Sequence, residues 1–344
     1  GSGVGGEGCG LSSALMAEGL NVGVTGASGF VGRAVVRALL SRGHTVRALV
    51  RDTEKASRVL PADRRVTLVK GDVRDPAAVA ELFSTEPVAM IHLIGIIRAA
   101  GDQTFQGMHV GATTTILEAC RQHGCRRYVH MSAMGVSSDG RAEYQRTKHE
   151  AELLVRRSGL EWTIFRPGLI HGADGELVGM IRKWCRGEAP PFFFIPYFTR
   201  LVERSENAIL SHVGFEAPTV APVHVSDVAE AFASCLDRPQ TVQEIYNLAG
   251  PERMTWKEML THFKQTLPGA DTSLPVIGLP ARPHAYMAMA AGRLGLGGLF
   301  PFDAGQAFMA EGDMDADLEK AQAHLGFSPR GFKASLGSYA GELA

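Results

Sequence analysis

Hydrophobic positions from Leu20 onward fall into two alternating kinds of segment. Short β-branched or apolar runs read "NVGVTG", "TVRALV", "VTLVKGD", "AMIHLIG", "RRYVHMS" and "WTIFRPG". Between them come longer stretches with helical spacing, "GRAVVRALLSRG", "PAAVAELFST", "ATTTILEACRQHG" and "AEYQRTKHEAELLVRRSG". Strand, helix, strand in repetition predicts a parallel sheet with helices on both faces. The short runs are mostly continuous in apolar character, as strands are when both faces are covered. The pattern therefore predicts an α/β fold, a doubly wound parallel sheet of the Rossmann kind, over residues 20–172.

After about Gly172 the rhythm breaks. "EAPPFFFIPYFTR" is dense in proline and aromatics, and "VIGLPARPHAYMAMAAGRLGLGGLF" mixes proline, glycine and apolar residues. Residues 173–344 are expected to form a smaller mixed α/β lobe on the carboxyl edge of the sheet, with about 218–250 returning to the sheet itself. The glycine-rich start, residues 1–19, has no basic region followed by an apolar stretch, so it does not read as a secretory signal. It is expected to be a disordered leader or an added remnant.

In "TGASGFVG" the glycines Gly26, Gly29 and Gly32 directly follow the first strand and open a helix. Gly26 permits a tight turn, Gly29 lets the backbone approach a pyrophosphate, and Gly32 lets the helix lie close to the strand. With Ser28, Phe30 and Val31 they form a candidate cradle for a dinucleotide, its phosphates on the free amides of the helix start. The second strand ends in Arg51, whose guanidinium suits a ribose 2′-phosphate and so favours NADP(H), while the adjacent Asp52 suits the 2′-hydroxyl of NAD(H). Asp72, closing "VKGD", falls where a carboxylate reaches an adenine edge, or forms a turn.

"YQRTK" places Tyr144 and Lys148 four apart, on one helix face. An ammonium near a phenol favours the phenolate, so Lys148 is expected to bring the Tyr144 pKa down from about 10 toward the working range. With the fingerprint, "HLIG" (His92 to Gly95) and this pair in order, the chain resembles the short-chain dehydrogenase/reductase superfamily, in its extended or atypical branch. "YVHMSAMG", "WTIFRPGLIHG", "VHVSDVAEAF" and "YNLAGPERMTWKEM" are similar to the group around the nucleotide-binding accessory subunit of respiratory complex I, with its coenzyme-Q-associated relatives. The resemblance covers roughly Asn21 to Leu260.

The resemblance implies that Val73, Leu93, Ile94, Gly95, Pro167 and Gly168 line the cofactor cleft, and that Lys148 also binds the nicotinamide ribose. It implies a catalytic Tyr144 and Lys148 with a hydroxyl for the substrate carbonyl. Ser132 is the candidate, but the position two further on, where extended members often carry that hydroxyl, is Met134. Ser137 and Ser138 follow in the loop. His109 stands where many relatives have an Asn in the proton relay. Asp227, in "VHVSDVA" with His224, is expected to cap a helix rather than catalyse.

Formal net charge is −1, from 35 basic and 36 acidic residues, so no overall field favours nucleic acid. The five cysteines form no CxxC pair, and with no HxxxH or HxH histidine spacing either, no metal site is expected. Such cysteine usage suits the cytoplasm or another reducing compartment, with attachment to the periphery of a membrane complex as an option. No apolar run reaches the ~18 residues of a membrane span. "PPFFFIPYF" reads as a core strand or as the lining of a pocket for a quinone-like ligand, and the stretch around Arg293 as core, partner surface or membrane-surface contact. Three functions stay open. The first is an NADP(H)-dependent oxidoreductase acting on a small carbonyl or hydroxyl substrate. The others are a non-catalytic, cofactor-holding subunit or assembly factor and a nucleotide-sugar epimerase or dehydratase, which Met134 disfavours.

Overall fold

The computed structural model describes residues 19–205, 211–293 and 304–343. Its first half runs β1 (Asn21–Thr25), α1 (Phe30–Ser41), β2 (Thr45–Val50), α2 (Thr53–Val59), β3 (Val66–Lys70), α3 (Pro76–Leu82) and β4 (Ala89–His92). A π-helical turn (Gln106–Gly111) then leads into α4 (Ala112–Gln122), β5 (Arg127–Met131), α5 (Glu143–Arg156) and β6 (Glu161–Pro167). These strands, with β12 (Glu244–Leu248) from much later in the chain, form a seven-stranded sheet in the order β3-β2-β1-β4-β5-β6-β12, parallel throughout. The doubly wound α/β fold expected from the apolar rhythm is present.

Alternate residues of the strands go to opposite cores, which is why the strands are apolar nearly end to end. Ala48, Ile91, Val129 and Phe165 join Val35 and Leu39 of α1 in one cluster. Leu49, Met90, Tyr128 and Ile164 join Val79 of α3, Ile116 of α4 and Val155 of α5 in another. The order reverses at β1: β2 lies on one side of it and β4 on the other, so their carboxyl ends leave a crevice between β1 and β4.

The second half is less regular. Short strands β7 (Ile170–His171), β10 (Thr219–Val220), β11 (Val223–His224) and β13 (Met254–Thr255) pair as β7 with β11 and β10 with β13. A separate sheet joins β8 (Ile195–Ser205), β9 (Ser211–Glu216) and β14 (Val276–Pro280), with β8 in the middle. Helices are α6 (Glu176–Cys185), α7 (Val225–Ser234), α8 (Trp256–Thr266), α9 (Ala281–Arg293), α10 (Ala304–Met309), α11 (Glu319–Leu325) and α12 (Phe332–Tyr339). α7 packs on α1 through Val228 and Phe232, while Ile181, Ile195, Phe263 and Phe332 centre a third core. α11 also reaches the large sheet, with Ala321 and Leu325 in the α1 cluster, later in the chain than the segment around 218–250.

The helix-capping expectation at Asp227 is corrected. The N-cap of α7 is His224, whose Nδ1 accepts from the Ser226 amide at 3.2 Å. Asp227 sits in the first turn instead, where it favours the helix dipole and takes the Arg330 guanidinium at 3.0 Å. The "PPFFFIPYF" segment divides: Ile195 is buried at the start of β8, whereas Phe192 and Phe193 are 55% and 71% exposed. Cys120, Cys125, Cys185 and Cys235 are buried free thiols, and Cys9 lies outside the described residues. So do the leader through residue 18 and the side chain of Arg293. No helix among the described residues is long and apolar enough to cross a membrane.

The seat of α1 on β1 is a close backbone approach. A Cβ on Gly32 would stand 2.1 Å from the Gly26 carbonyl oxygen and 2.7 Å from Ala27 Cα. Gly32→Val is therefore expected to lower unfolding stability by about 1–3 kcal/mol or more in urea denaturation. A variant as stable as the native chain would show that the helix does not need this contact.

Candidate functional site

The turn between β1 and α1 opens at the crevice. Gly26 has φ +74°, a left-handed conformation that a side chain would strain, and its absent Cβ lies 3.2 Å from the Leu93 backbone at the end of β4. Gly29 is the N-cap residue of α1 and offers no side-chain cap, so the first amides of the helix keep no partner from that position. Ser28 and Gly29 are exposed, and Val31 is half-buried. Phe30 turns its ring to Gly172 and Gly175 of the second half, 3.2 and 3.1 Å from where their Cβ atoms would be. Uncapped amides with the positive end of a twelve-residue helix dipole behind them make an anion seat.

Lys148 enters from α5. It is 2% exposed, and its Nζ donates to the Met131 carbonyl at 2.8 Å and the Ile94 carbonyl at 3.4 Å, the exits of β5 and β4. Gly95 leaves it room, since a Cβ there would stand 2.7 Å from Nζ. Burial lowers the ammonium to about 8, against the pull of Glu152. Tyr144, one turn earlier, is half-buried, edge-on to His109 at 5.3 Å and to Phe105 at 6.2 Å between ring centres.

The expectation that Lys148 lowers the Tyr144 pKa is corrected: burial pushes the phenol up to about 12. The i,i+4 spacing brings the two residues to one face, but the ammonium points at strand carbonyls. A protonated Tyr144 is suited to giving a proton.

Ser132 is 3% exposed, its Oγ without a hydrogen-bond partner among the described residues. Met134 lies against Gly168, its Sδ 2.9 Å from where a Cβ would be. Ser137 gives its hydroxyl to Asp139, and Ser138 is exposed in the same loop. His109 is 1% exposed, paired through Nδ1 with Thr147 Oγ1 at 2.8 Å and through Nε2 with the Ile96 backbone.

At the exits of β2 and β3, Arg51 is exposed and its charge helps depress the Asp72 carboxyl. Asp72 commits both oxygens to Arg74, at 2.9 and 2.8 Å, which holds it at about 2. Asp52 is the N-cap of α2, accepting from the Lys55 amide at 3.0 Å. Val73 and Leu93 are buried and Ile94 is half-buried, while Pro167 ends β6 and Gly168 follows it.

Two features escaped the sequence reading. Glu152, one turn beyond Lys148, is 1% exposed and holds Arg166 bidentately, at 2.8 Å from Nε and more closely from Nη2. A second i,i+4 step from Lys148 was the signal available. The other is an interior histidine group. His92 and His130 face each other in the β4–β5 register, with ring centres 5.6 Å apart, and Thr25 Oγ1 meets His92 Nδ1 at 2.7 Å. Burial first, then Lys148, drives His92 and His109 to about 3 and His130 well down, so all three are neutral.

The profile of the NAD(P)H-binding family matches residues 26–183, which hold the glycine turn, Lys148 and the β6 exit. Subunit 9 of the NADH dehydrogenase (ubiquinone) 1 alpha subcomplex, mitochondrial, of Dictyostelium discoideum is 26% identical over 251 residues, 72% of this chain and 64% of that protein. The ceramide reductase of Caulobacter vibrioides is 30% identical over 211 residues, 60% of this chain and again 64% of the relative. The aligned part thus spans just under two thirds of these relatives' own length. The solved epimerase of Methanothermobacter thermautotrophicus has the same fold, with a TM-score of 0.69 at 16% identity over 96% of this chain and 97% of that one. The chain carries an NAD(P)H-binding domain over residues 26–183, and its fold is that of solved epimerases. In sequence it is similar to complex I accessory subunits.

Two outcomes follow for the buried polar groups. Arg166→Met strands the Glu152 carboxylate and is expected to cost about 3–5 kcal/mol at neutral pH, most of it regained in the double variant with Glu152→Met, read by denaturant unfolding. His92 and His109 sit near 3 when folded against an ordinary value of 6.5, so the unfolded chain takes up these protons first. Stability is expected to fall as pH drops below 6.5 toward 3, and His92→Phe to flatten that slope. An unchanged slope in His92→Phe would remove His92 from this linkage.

Proposed function

We propose that the chain is an NADP(H)-dependent oxidoreductase acting on a carbonyl or hydroxyl substrate. The observation that carries this reading is the meeting, at one sheet edge, of the uncapped start of α1 with the buried Lys148 ammonium and Tyr144 beside it. The diphosphate of the coenzyme would rest on the amides of Phe30, Val31 and Gly32, with Arg51 toward the 2′-phosphate and Pro167 and Gly168 toward the nicotinamide amide. When bound and reduced, the coenzyme supplies a hydride to the carbonyl carbon and leaves oxidised. The carbonyl π pair moves to oxygen, which takes the Tyr144 proton. A proton from solvent restores the phenol, while Lys148, held by the strand-exit carbonyls, would bind the coenzyme's nicotinamide ribose. The ceramide reductase among the relatives is consistent with reduction of a carbonyl compound.

One observation favours a second reading. The usual place for a substrate-binding hydroxyl is Met134, and Ser132 is buried with Oγ unpartnered among the described residues. A cleft that holds coenzyme without turning over fits a subunit of a respiratory or quinone-related complex, as the complex I relative suggests. Bound nucleotide would then stabilise the fold by mass action.

The readings part on two measurements. Fluorescence titration is expected to give saturable NADPH binding, weakened more for NADPH than for NADH by Arg51→Ala. Tyr144→Phe is expected to keep that binding and to lower turnover on a carbonyl panel about 10²–10⁴-fold. Coenzyme binding with no turnover in the native chain would favour the holding role. Native turnover that Tyr144→Phe leaves unchanged would remove Tyr144 as the proton donor.

A further inference from the structure

A cavity of about 220 Å³ lies beyond the carboxyl edge of the sheet, walled by Leu169, Met180, Trp184, Phe198, Trp256 and Met309 among others. It adjoins the candidate site. Leu169 directly follows Gly168, and the Met314 carbonyl, also from the cavity wall, lies 3.5 Å from where a Cβ on Gly168 would be. A third wall residue, Arg98, comes three positions after Gly95, the glycine that makes room for Lys148. The same wall includes Tyr197 and Phe198 of the aromatic segment whose role the sequence left open.

The chemistry of this wall selects its occupant. Among the described lining residues there is no carboxylate, and Arg98 is the one formal charge. A sugar ring placed here would lose water from all its hydroxyls and find only a few polar groups, such as Arg98, Tyr197, Gln306 and the Trp256 indole, in an otherwise apolar wall, whereas a hydrocarbon loses nothing. Met180, Met309 and Met314 supply flexible thioethers, which adapt to a chain of variable shape. We propose that the cavity receives the alkyl tail of a lipophilic carbonyl or carbinol substrate, whose polar head stands at Tyr144 and Lys148. This substrate class rests on the oxidoreductase reading above.

The full chain is titrated with 2-butanone, 2-octanone and 2-undecanone in the presence of NADP⁺, which allows no ketone turnover. Binding is read from the fluorescence of Trp184 and Trp256 in the wall. Affinity is expected to rise about fourfold for each added methylene until the cavity is filled. Ala310→Phe, which narrows the cavity, is expected to flatten that series while leaving NADP⁺ affinity unchanged. Met180→Gln, on α6, is expected to flatten the series too, and the native series decides alone should either variant fail to fold.

Affinities that ignore chain length while NADP⁺ binds normally would overturn the proposal. So would UDP-glucose binding more tightly than 2-undecanone. A chain-length series seen without any coenzyme binding would keep the apolar tail site and remove the oxidoreductase reading, so the two failures separate.

Discussion

The first turn of α1 rests on the exit of β1 with no side chain between them, and the candidate site follows from that contact. Gly32 admits the Gly26 and Ala27 backbone at distances that a Cβ would forbid. Gly29 then becomes an N-cap without a capping group, so the helix start presents amides rather than satisfied donors. Because β2 and β4 leave β1 in opposite directions, those amides face an open crevice and not a neighbouring loop.

Opposite the amides, charge is held in an apolar interior by paired groups. The Lys148 ammonium is surrounded by strand-exit carbonyls and by histidines that burial keeps neutral. Glu152, one turn beyond Lys148, attracts the ammonium through space while its carboxylate is bonded directly to Arg166 from β6. Removing water from this group strengthens each of its interactions, and it makes an unpaired member costly. Such an arrangement keeps Lys148 in place whether or not a ligand is present.

Much of the fold was legible because its cause is local. Residues at period two and period 3.6 repeat within single elements, so β1 to β6 and their helices could be read without knowing what they touch. The glycine turn was legible for the same reason, and the family profile over residues 26–183 agrees with the resemblance seen in the motifs. What failed was direction. Tyr144 and Lys148 share a face, yet the ammonium turns to Met131 and Ile94, so the expected lowering of the phenol became a rise. His224 holds the cap because α7 begins at Val225, which puts Asp227 inside the first turn, where Arg330, distant in sequence, takes its carboxylate. The Glu152–Arg166 pair, the His92–His130 register and the apolar cavity all join residues from separate elements, and no short-range pattern records such meetings.

The most direct measurement is residue-resolved amide hydrogen exchange with and without NADPH. Exchange at Phe30, Val31 and Gly32 is expected to slow when coenzyme is added, because the diphosphate becomes the acceptor these donors otherwise lack. Saturable NADPH binding that leaves all three amides exchanging at their original rates would contradict the assignment of the cradle.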